Sequence, residues 1–207
     1  MKRCIIIGGG DCTADILKKN ISFNDYIICA DGGYDISREC NIVPDLLIGD
    51  FDSIKSLPEN VKTITLPVEK DVTDSVAAFN EGVKAGYKSF LLLGGTGGRF
   101  EHTFANISLM CKASKDNLDL TIVDNKHIFR SITNSSIKID RKENQQVSVF
   151  AYGEKAYGVN FNGFYYPLCD YTLDPFECAF STSNHIVDEY GEICVRNGTL
   201  VIVETQV

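Results

Sequence analysis

Five aspartates in three short clusters are the residues of this chain best placed to do chemistry. They are Asp31 in Ala30-Asp31-Gly32-Gly33, Asp50 and Asp52 in Gly49-Asp50-Phe51-Asp52-Ser53, and Asp71 and Asp74 in Lys70-Asp71-Val72-Thr73-Asp74. Each cluster follows a run that predicts a strand: Tyr26–Ala30, Leu46–Ile48 and Lys62–Leu66. Ligands of open α/β sheets bind outside the carboxyl ends of the strands. Carboxylates gathered on one such edge repel one another unless a cation sits among them, and hard oxygen donors there suit Mg²⁺ holding phosphates. Asp also favours turns and helix N-caps, so any single cluster has a purely local explanation. Three clusters at successive strand ends point to a ligand.

Within the clusters, two local readings stay open. Asp50 and Asp52, two apart in extended backbone, would project to one side as metal ligands do. Ser53 could equally make the pair a capped turn, and Asp-x-Asp also occurs in metal-dependent glycosyltransferases. Thr73 or Asp71 can cap the helix expected over Thr73–Ala85, with Asp74 favoured in its first turn by the dipole.

Two glycine-rich stretches lie between strands and helices, where a backbone can approach a phosphate at a helix N-terminus. Gly8-Gly9-Gly10 lacks the third glycine of a dinucleotide fingerprint. Gly94-Gly95-Thr96-Gly97-Gly98-Arg99 lacks the Lys-Ser/Thr pair of a P-loop. In the helix expected after it, about 100° per residue places Phe100, Phe104, Ile107 and Cys111 on one face as a core stripe. Arg99, His102 and Asn106 form a separate polar row suited to phosphate or base recognition.

The elements that must position these groups change character near residue 134. Before it, strands at Arg3–Ile7, Tyr26–Ala30, Leu46–Ile48, Lys62–Leu66, Ser89–Leu93 and Leu120–Val123 alternate with helices at Asp11–Lys19, Tyr34–Cys40, Thr73–Ala85 and Phe100–Ser114. In the third helix Val76, Phe79 and Val83 mark the apolar face, and Gly86 suits the stop. This alternation predicts an α/β domain with a Rossmann-like parallel sheet and flanking helices. After Asn134 come short β-branched and aromatic runs at Ser136–Asp140, Gln145–Ala151, Gly158–Phe161, Glu192–Val195 and Leu200–Glu204, with Asn197-Gly198 as a hairpin signal. They predict a smaller antiparallel β-domain, giving domains 1–134 and 135–207.

Bulk properties set outer bounds. The 207 residues carry a formal net charge of −8, which argues against binding the backbone of nucleic acid. One bound cation can still reverse the local field for a small phosphorylated ligand. The eight cysteines are scattered without a CxxC pair, as expected of free thiols in a reducing compartment. No stretch approaches the ~20 apolar residues of a membrane span. The N-terminus turns to glycine too soon for a signal peptide. The expectation is a cytoplasmic protein without membrane or nucleic-acid partners.

Taken together and in order, the motifs resemble those of thiamine pyrophosphokinases. They are Ala30-Asp31-Gly32-Gly33, Pro44 through Ser53, Lys70 through Asp74, and Gly94 through His102. Gly158-Val159, Tyr166-Pro167-Leu168, Ser181 through Asn184 and Gly198-Thr199-Leu200 continue the match. Glu101 stands where that family usually has Asp, the chain has no tryptophan, and Ser183-Asn184-His185-Ile186 departs from the commoner Ser-Asn-Glu-Phe. The resemblance implies diphosphate transfer from ATP to the hydroxyl of thiamine, releasing AMP. It also implies an α/β catalytic domain, a C-terminal β-sandwich, and a homodimer with thiamine between subunits.

By the same resemblance, Asp50, Asp52 and Asp74 would hold Mg²⁺, and Lys70 and Arg99 would stabilise phosphate charge. Thr73, Gly95, Gly98, His102 and Asn106 would help bind the nucleotide, while Ser183 and Asn184 would contact thiamine. Asp31, Asp71 or a neighbouring carboxylate would orient or deprotonate the hydroxyl. The residues alone leave two other classes open: another Mg²⁺-dependent nucleotide enzyme (glycosyltransferase or phosphohydrolase), and a non-catalytic nucleotide-binding module.

Overall fold

The first strand, β1 (Cys4–Ile7), is wholly buried and is followed after a glycine loop by α1 (Ala14–Asn20). Its Cys-Ile-Ile-Ile run is apolar on both faces, as a central parallel strand covered by helices requires. A computed structural model describes residues 2–51, 60–67, 72–176 and 181–206. The chain continues through β2 (Tyr26–Ala30), α2 (Gly33–Glu39), β3 (Leu46–Gly49), β4 (Lys62–Thr65), α3 (Asp74–Lys84), β5 (Ser89–Leu93), α4 (Phe100–Lys115) and β6 (Asp119–Val123). The strands lie in the order β4-β3-β2-β1-β5-β6, all parallel. β2, β3 and β4 step outward on one side of β1, and after α3 the chain returns to lay β5 and β6 on its other side. That reversal opens a crevice between β1 and β5.

The second part begins with β7 (His127–Thr133) and continues through β8 (Ser136–Asp140), β9 (Gln145–Ala151), β10 (Ala156–Asn162), β11 (Leu168–Leu173), β12 (Tyr190–Cys194) and β13 (Thr199–Gln206). Antiparallel pairing orders them as β7-β13-β9 and as β11-β10-β12-β8. One apolar cluster takes Ile132, Val147, Val149, Leu200 and Ile202 from the first set and Ile139, Val159, Phe161 and Ile193 from the second. Two sheets sharing one core make a β-sandwich. Spatially the chain divides into two units, residues 1–109 with 118–125, and residues 110–117 with 126–207. Thus β7 and the end of α4 group with the β-rich unit.

The fold class expected from the sequence is the one observed, with corrections in detail. β7 and β11 were not expected. β7 is partly buried along most of its length, so it lacks a clean alternation. β11 pairs with β10 through register shifts and contains Asp170 at φ 46°. Asn197-Gly198 does not close a hairpin of paired strands, because β12 and β13 belong to different sheets and the turn carries the chain from one to the other.

The face expected for α4 is also out of phase. Phe100 and Phe104 are 77% and 56% exposed, while Asn106, Leu109, Met110 and Ala113 are buried; of the expected stripe, Cys111 is buried. Positions 99, 102, 106, 109 and 113 form one stripe, polar in its first half and apolar in its second, so hydrophobicity alone selects the neighbouring stripe. In α3 the buried residues are Ala77, Ala78, Phe79 and Gly82, not Val83. Small residues let that helix approach the sheet.

Candidate active site

The crevice between β1 and β5 holds a cleft of about 240 Å³. It lies at the carboxyl ends of the strands where the sheet changes direction, the place where open α/β sheets bind ligands. Two glycine loops form its floor. Gly8-Gly9-Gly10 leaves β1, and Gly94-Gly95-Thr96-Gly97-Gly98 leaves β5. They run side by side through three backbone hydrogen bonds, Gly8 N to Leu93 O at 2.8 Å, Gly10 N to Gly94 O at 3.0 Å and Asp11 N to Thr96 O at 2.7 Å. A Cβ on Gly10 would sit 2.2 Å from the Thr96 carbonyl oxygen and 2.6 Å from that of Gly94. No larger residue fits without separating the loops.

Asp31 follows β2 directly and lines the cleft with φ at 43°. Its N–H donates to Ile48 O at 2.8 Å and its carbonyl accepts from Tyr34 N at 3.1 Å, so both neighbouring elements hold this conformation. The short side chain makes Asp one of the few non-glycine types tolerant of the left-handed region. Thr73 and Asp74 enter the cleft at the head of α3. Thr73 is the N-cap, its hydroxyl accepting from Val76 N at 3.4 Å. That settles which neighbour caps the helix. The helix dipole favours the Asp74 carboxylate, which sits in the first turn.

Arg99, His102 and Asn106 also line the cleft. Arg99 immediately precedes α4 and the other two lie on it, at a spacing that brings all three to one side, as their shared polar row predicts. Asn106 is buried and donates through Nδ2 to Gly95 O at 2.7 Å. Gly95 is therefore held by α4, while Gly98, at φ 58°, ends the loop with no described residue close to where a Cβ would lie. The Arg99 side chain is 72% exposed, its Nε 3.8 Å from Glu101 Oε1, so its guanidinium is accessible to an incoming anion.

Asp50 lies just beyond β3 and is half-buried, outside the lining of this cleft. Asp52, Lys70 and Asp71 lie outside the described residues. Among the described residues, no group of three or more His, Cys, Asp or Glu side chains is close enough together to hold a metal ion. The donor type still fits Mg²⁺. The acidic groups at these strand ends and at the head of α3 are carboxylates, the hard ligands that cation prefers.

In the β-sandwich, Ser183 and Asn184 take different parts. Ser183 is exposed at φ 56°, its N–H donating to Ser148 Oγ at 3.0 Å. Asn184 is 4% exposed and its amide is engaged internally: Nδ2 donates to Tyr166 O at 2.8 Å, and Oδ1 accepts from Tyr166 N at 3.1 Å and His185 N at 2.9 Å. It holds the Tyr165–Tyr166 turn, where Tyr165 stacks on His185 with ring centres 4.7 Å apart.

Thr96, which lines the cleft, and Asp124, which holds it, are not among the candidates the sequence offers. Thr96 is buried in the glycine loop and donates to Asp124 Oδ2 at 2.8 Å. Asp124 follows the strand expected at Leu120–Val123, as Asp31 follows its own, so the strand-end rule applied once more would have found it.

A family model described as "Thiamin pyrophosphokinase, catalytic domain" matches residues 17–122, and one described as "Thiamin pyrophosphokinase, vitamin B1 binding domain" matches residues 134–200. The chain is 27% identical over 176 residues to a thiamine pyrophosphokinase of Bacillus subtilis, covering 81% of each protein. Among solved structures, a thiamine pyrophosphokinase from Bacillus subtilis superposes with a TM-score of 0.88 at 23% identity, covering 100% of this chain and 99% of that one. A Candida albicans thiamin pyrophosphokinase gives 0.80 at 17% identity, covering 100% and 89%. At those identities the superpositions speak to the fold, and the two sequence matches speak to the family.

Proposed function

The chain belongs to the thiamin pyrophosphokinase family, and on that premise we propose that its β1/β5 cleft binds ATP and transfers the diphosphate to the hydroxyl of thiamine, releasing AMP. The observation that carries this reading is the pairing of two glycine loops at the crevice, ringed by Asp31, Asp74, Arg99, His102 and Asn106. Closely approaching backbone suits a polyphosphate, and the α3 and α4 N-termini add favourable dipoles. Phosphoryl-type transfer depends on positioning and charge neutralisation more than on covalent help from the protein.

Arg99 offers a planar two-pronged contact to phosphate oxygens, and Lys70 would add a second positive charge. Thr73, Gly95, Gly98, His102 and Asn106 shape the nucleotide side of the cleft. Asp31, which lines the cleft, or Asp71 would orient the thiamine hydroxyl or take up its proton. Asp50, Asp52 and Asp74 would hold Mg²⁺, which when bound supplies neutralising charge to the phosphate oxygens.

Thiamine recognition falls to the part carrying the vitamin B1 binding match. Ser183 would meet the ligand directly and Asn184 would act through the Tyr165–Tyr166 turn it holds. Phe161 and Phe164 are core residues of the β-sandwich. Tyr165, Tyr166 and Phe176 are exposed and offer aromatic surface to a partner subunit. We assign the division of labour to domains 1–134 and 135–207, and place the protein in the cytoplasm as a homodimer. Among the described residues no helix is long and apolar enough to cross a membrane.

The test is an assay with ATP, thiamine and Mg²⁺ that follows AMP and thiamine diphosphate together. Equal yields that depend on thiamine, and vanish on chelation, are expected. AMP formed equally without thiamine, or no thiamine diphosphate at all, would reject the reading. Asp50→Asn and Asp74→Asn should each abolish turnover at limiting Mg²⁺ with the fold retained.

A further inference from the structure

Leu93 and Val123 are paired at the carboxyl end of the β5–β6 ladder, so Gly94 and Asp124 leave the sheet as neighbours. Two residues further on, Thr96 is 6% exposed and turns its hydroxyl onto Asp124 Oδ2, at 2.8 Å. On the other side of the loop, Asn106 of α4 holds the adjacent carbonyl, that of Gly95, at 2.7 Å. Consecutive loop residues are thus fastened from two different elements. Four of the five residues from Gly94 to Gly98 are glycine, the type with the most backbone freedom to lose. Unfastened, such a loop would lose that freedom on binding, at the expense of affinity.

The carboxylate itself needs an explanation. Placed beside a polyphosphate site, Asp124 would repel the ligand if it served as a contact. Its hydrogen bond with the buried Thr96 hydroxyl instead directs it to the loop. We propose that Asp124 is a positioning residue for the nucleotide. Through Thr96 it holds the Gly94–Gly98 backbone in the conformation that receives the ATP phosphates. This rests on reading the cleft as the ATP site and adds a residue that touches neither substrate.

The test uses Thr96→Val, which removes the hydroxyl at nearly constant volume, Thr96→Ser, which keeps it, and Asp124→Asn, which replaces the charged acceptor with a neutral one. ATP affinity is read by titration calorimetry on the full chain, and KM is measured for each substrate. Losing one hydrogen bond to a charged group should weaken ATP binding about tenfold in Thr96→Val and Asp124→Asn. Thr96→Ser should recover most of that loss, and the thiamine KM should stay within about twofold. The double variant Thr96→Val/Asp124→Asn should be no weaker than either single one, because both break the same tie.

Wild-type ATP affinity in Thr96→Val overturns the proposal, as do losses that multiply in the double variant or an equal rise in both KM values. Should Thr96→Val not fold, Asp124→Asn carries the same expectation alone. A wild-type protein that binds ATP without forming thiamine diphosphate rejects the activity and leaves the calorimetric comparison decisive. One that binds no ATP rejects both.

Discussion

Replacing Gly10 with alanine is the sharpest single test of how the cleft is built. The added Cβ would lie 2.2 Å from Thr96 O and 2.6 Å from Gly94 O, and both obstacles are backbone. Neither can swing aside as a side-chain end would. The loops must part, straining the bonds from Gly10 N to Gly94 O and from Asp11 N to Thr96 O. Overpacking of this kind costs roughly 1–3 kcal/mol, and each weakened hydrogen bond adds about 0.5–1.5 kcal/mol. A total of about 2–6 kcal/mol corresponds to a fall of roughly 4–24 °C in melting midpoint for a chain of this size. Because the displaced atoms form the cleft floor, ATP affinity should fall with stability.

Gly98→Ala is the control. Its φ of 58° is left-handed but a Cβ there meets nothing within 4 Å among the described residues, so only about 1 kcal/mol of backbone strain is expected. Thermal melts and ATP titration of both variants decide the matter. A Gly10→Ala protein as stable as Gly98→Ala, with wild-type ATP binding, would falsify the account of the paired loops.

Arg99→Lys keeps the charge but loses the two-pronged geometry, and turnover should fall ten- to a thousandfold, the order associated with one transition-state charge donor. Unchanged steady-state kinetics would demote Arg99 to a surface residue. Burial alone would raise the Asp25 carboxyl, but hydrogen bonds from Arg3 and the Ser22 N–H, with the Arg3 charge, hold it below the usual carboxylate range. Its contribution is therefore complete above the unfolded carboxyl pKa and disappears as pH falls through the lower folded value. Asp25→Asn should be less stable than wild type at pH 7 and the gap should close in acid; a constant gap from pH 7 to pH 2 in urea melts refutes this. Burial pushes the Cys4, Cys29 and Cys111 thiols up to about 12, so they should resist alkylation at pH 7.5 in the native state while exposed Cys169 reacts. Peptide mapping after brief labelling would show the reverse if those strands and α4 were not packed as described.

Much of this architecture is local and therefore legible in the residues themselves. Tyr26–Ala30 and Ser89–Leu93 are apolar runs bounded by polar or glycine residues, and both strands start and stop where that pattern does. Asp31 and Asp74 owe their place in the cleft to following a strand or opening a helix, which a parallel sheet turns into a shared edge. The order β4-β3-β2-β1-β5-β6 is another matter. No residue near Gly10 encodes that Gly94, far along the chain, will be its hydrogen-bonding neighbour. Only the return of the chain across β1 brings the two loops together, and with them the steric demand for glycine.

The same limit explains the phase of α4. Its inward stripe begins with Arg99, His102 and Asn106 because a solvated cleft lies there, and turns apolar at Leu109 where the core begins. Hydrophobicity scales assume that one face of a helix meets one environment, so Phe100 and Phe104 were assigned to the core. Asn184 shows the converse case. A polar residue expected to face a ligand is buried because the Tyr165–Tyr166 turn, distant in sequence, supplies partners for both ends of its amide. Composition and spacing determine which elements form and which groups gather at strand ends. Burial and hydrogen-bond partners depend on contacts between distant segments, and those exist only once the tertiary structure has closed.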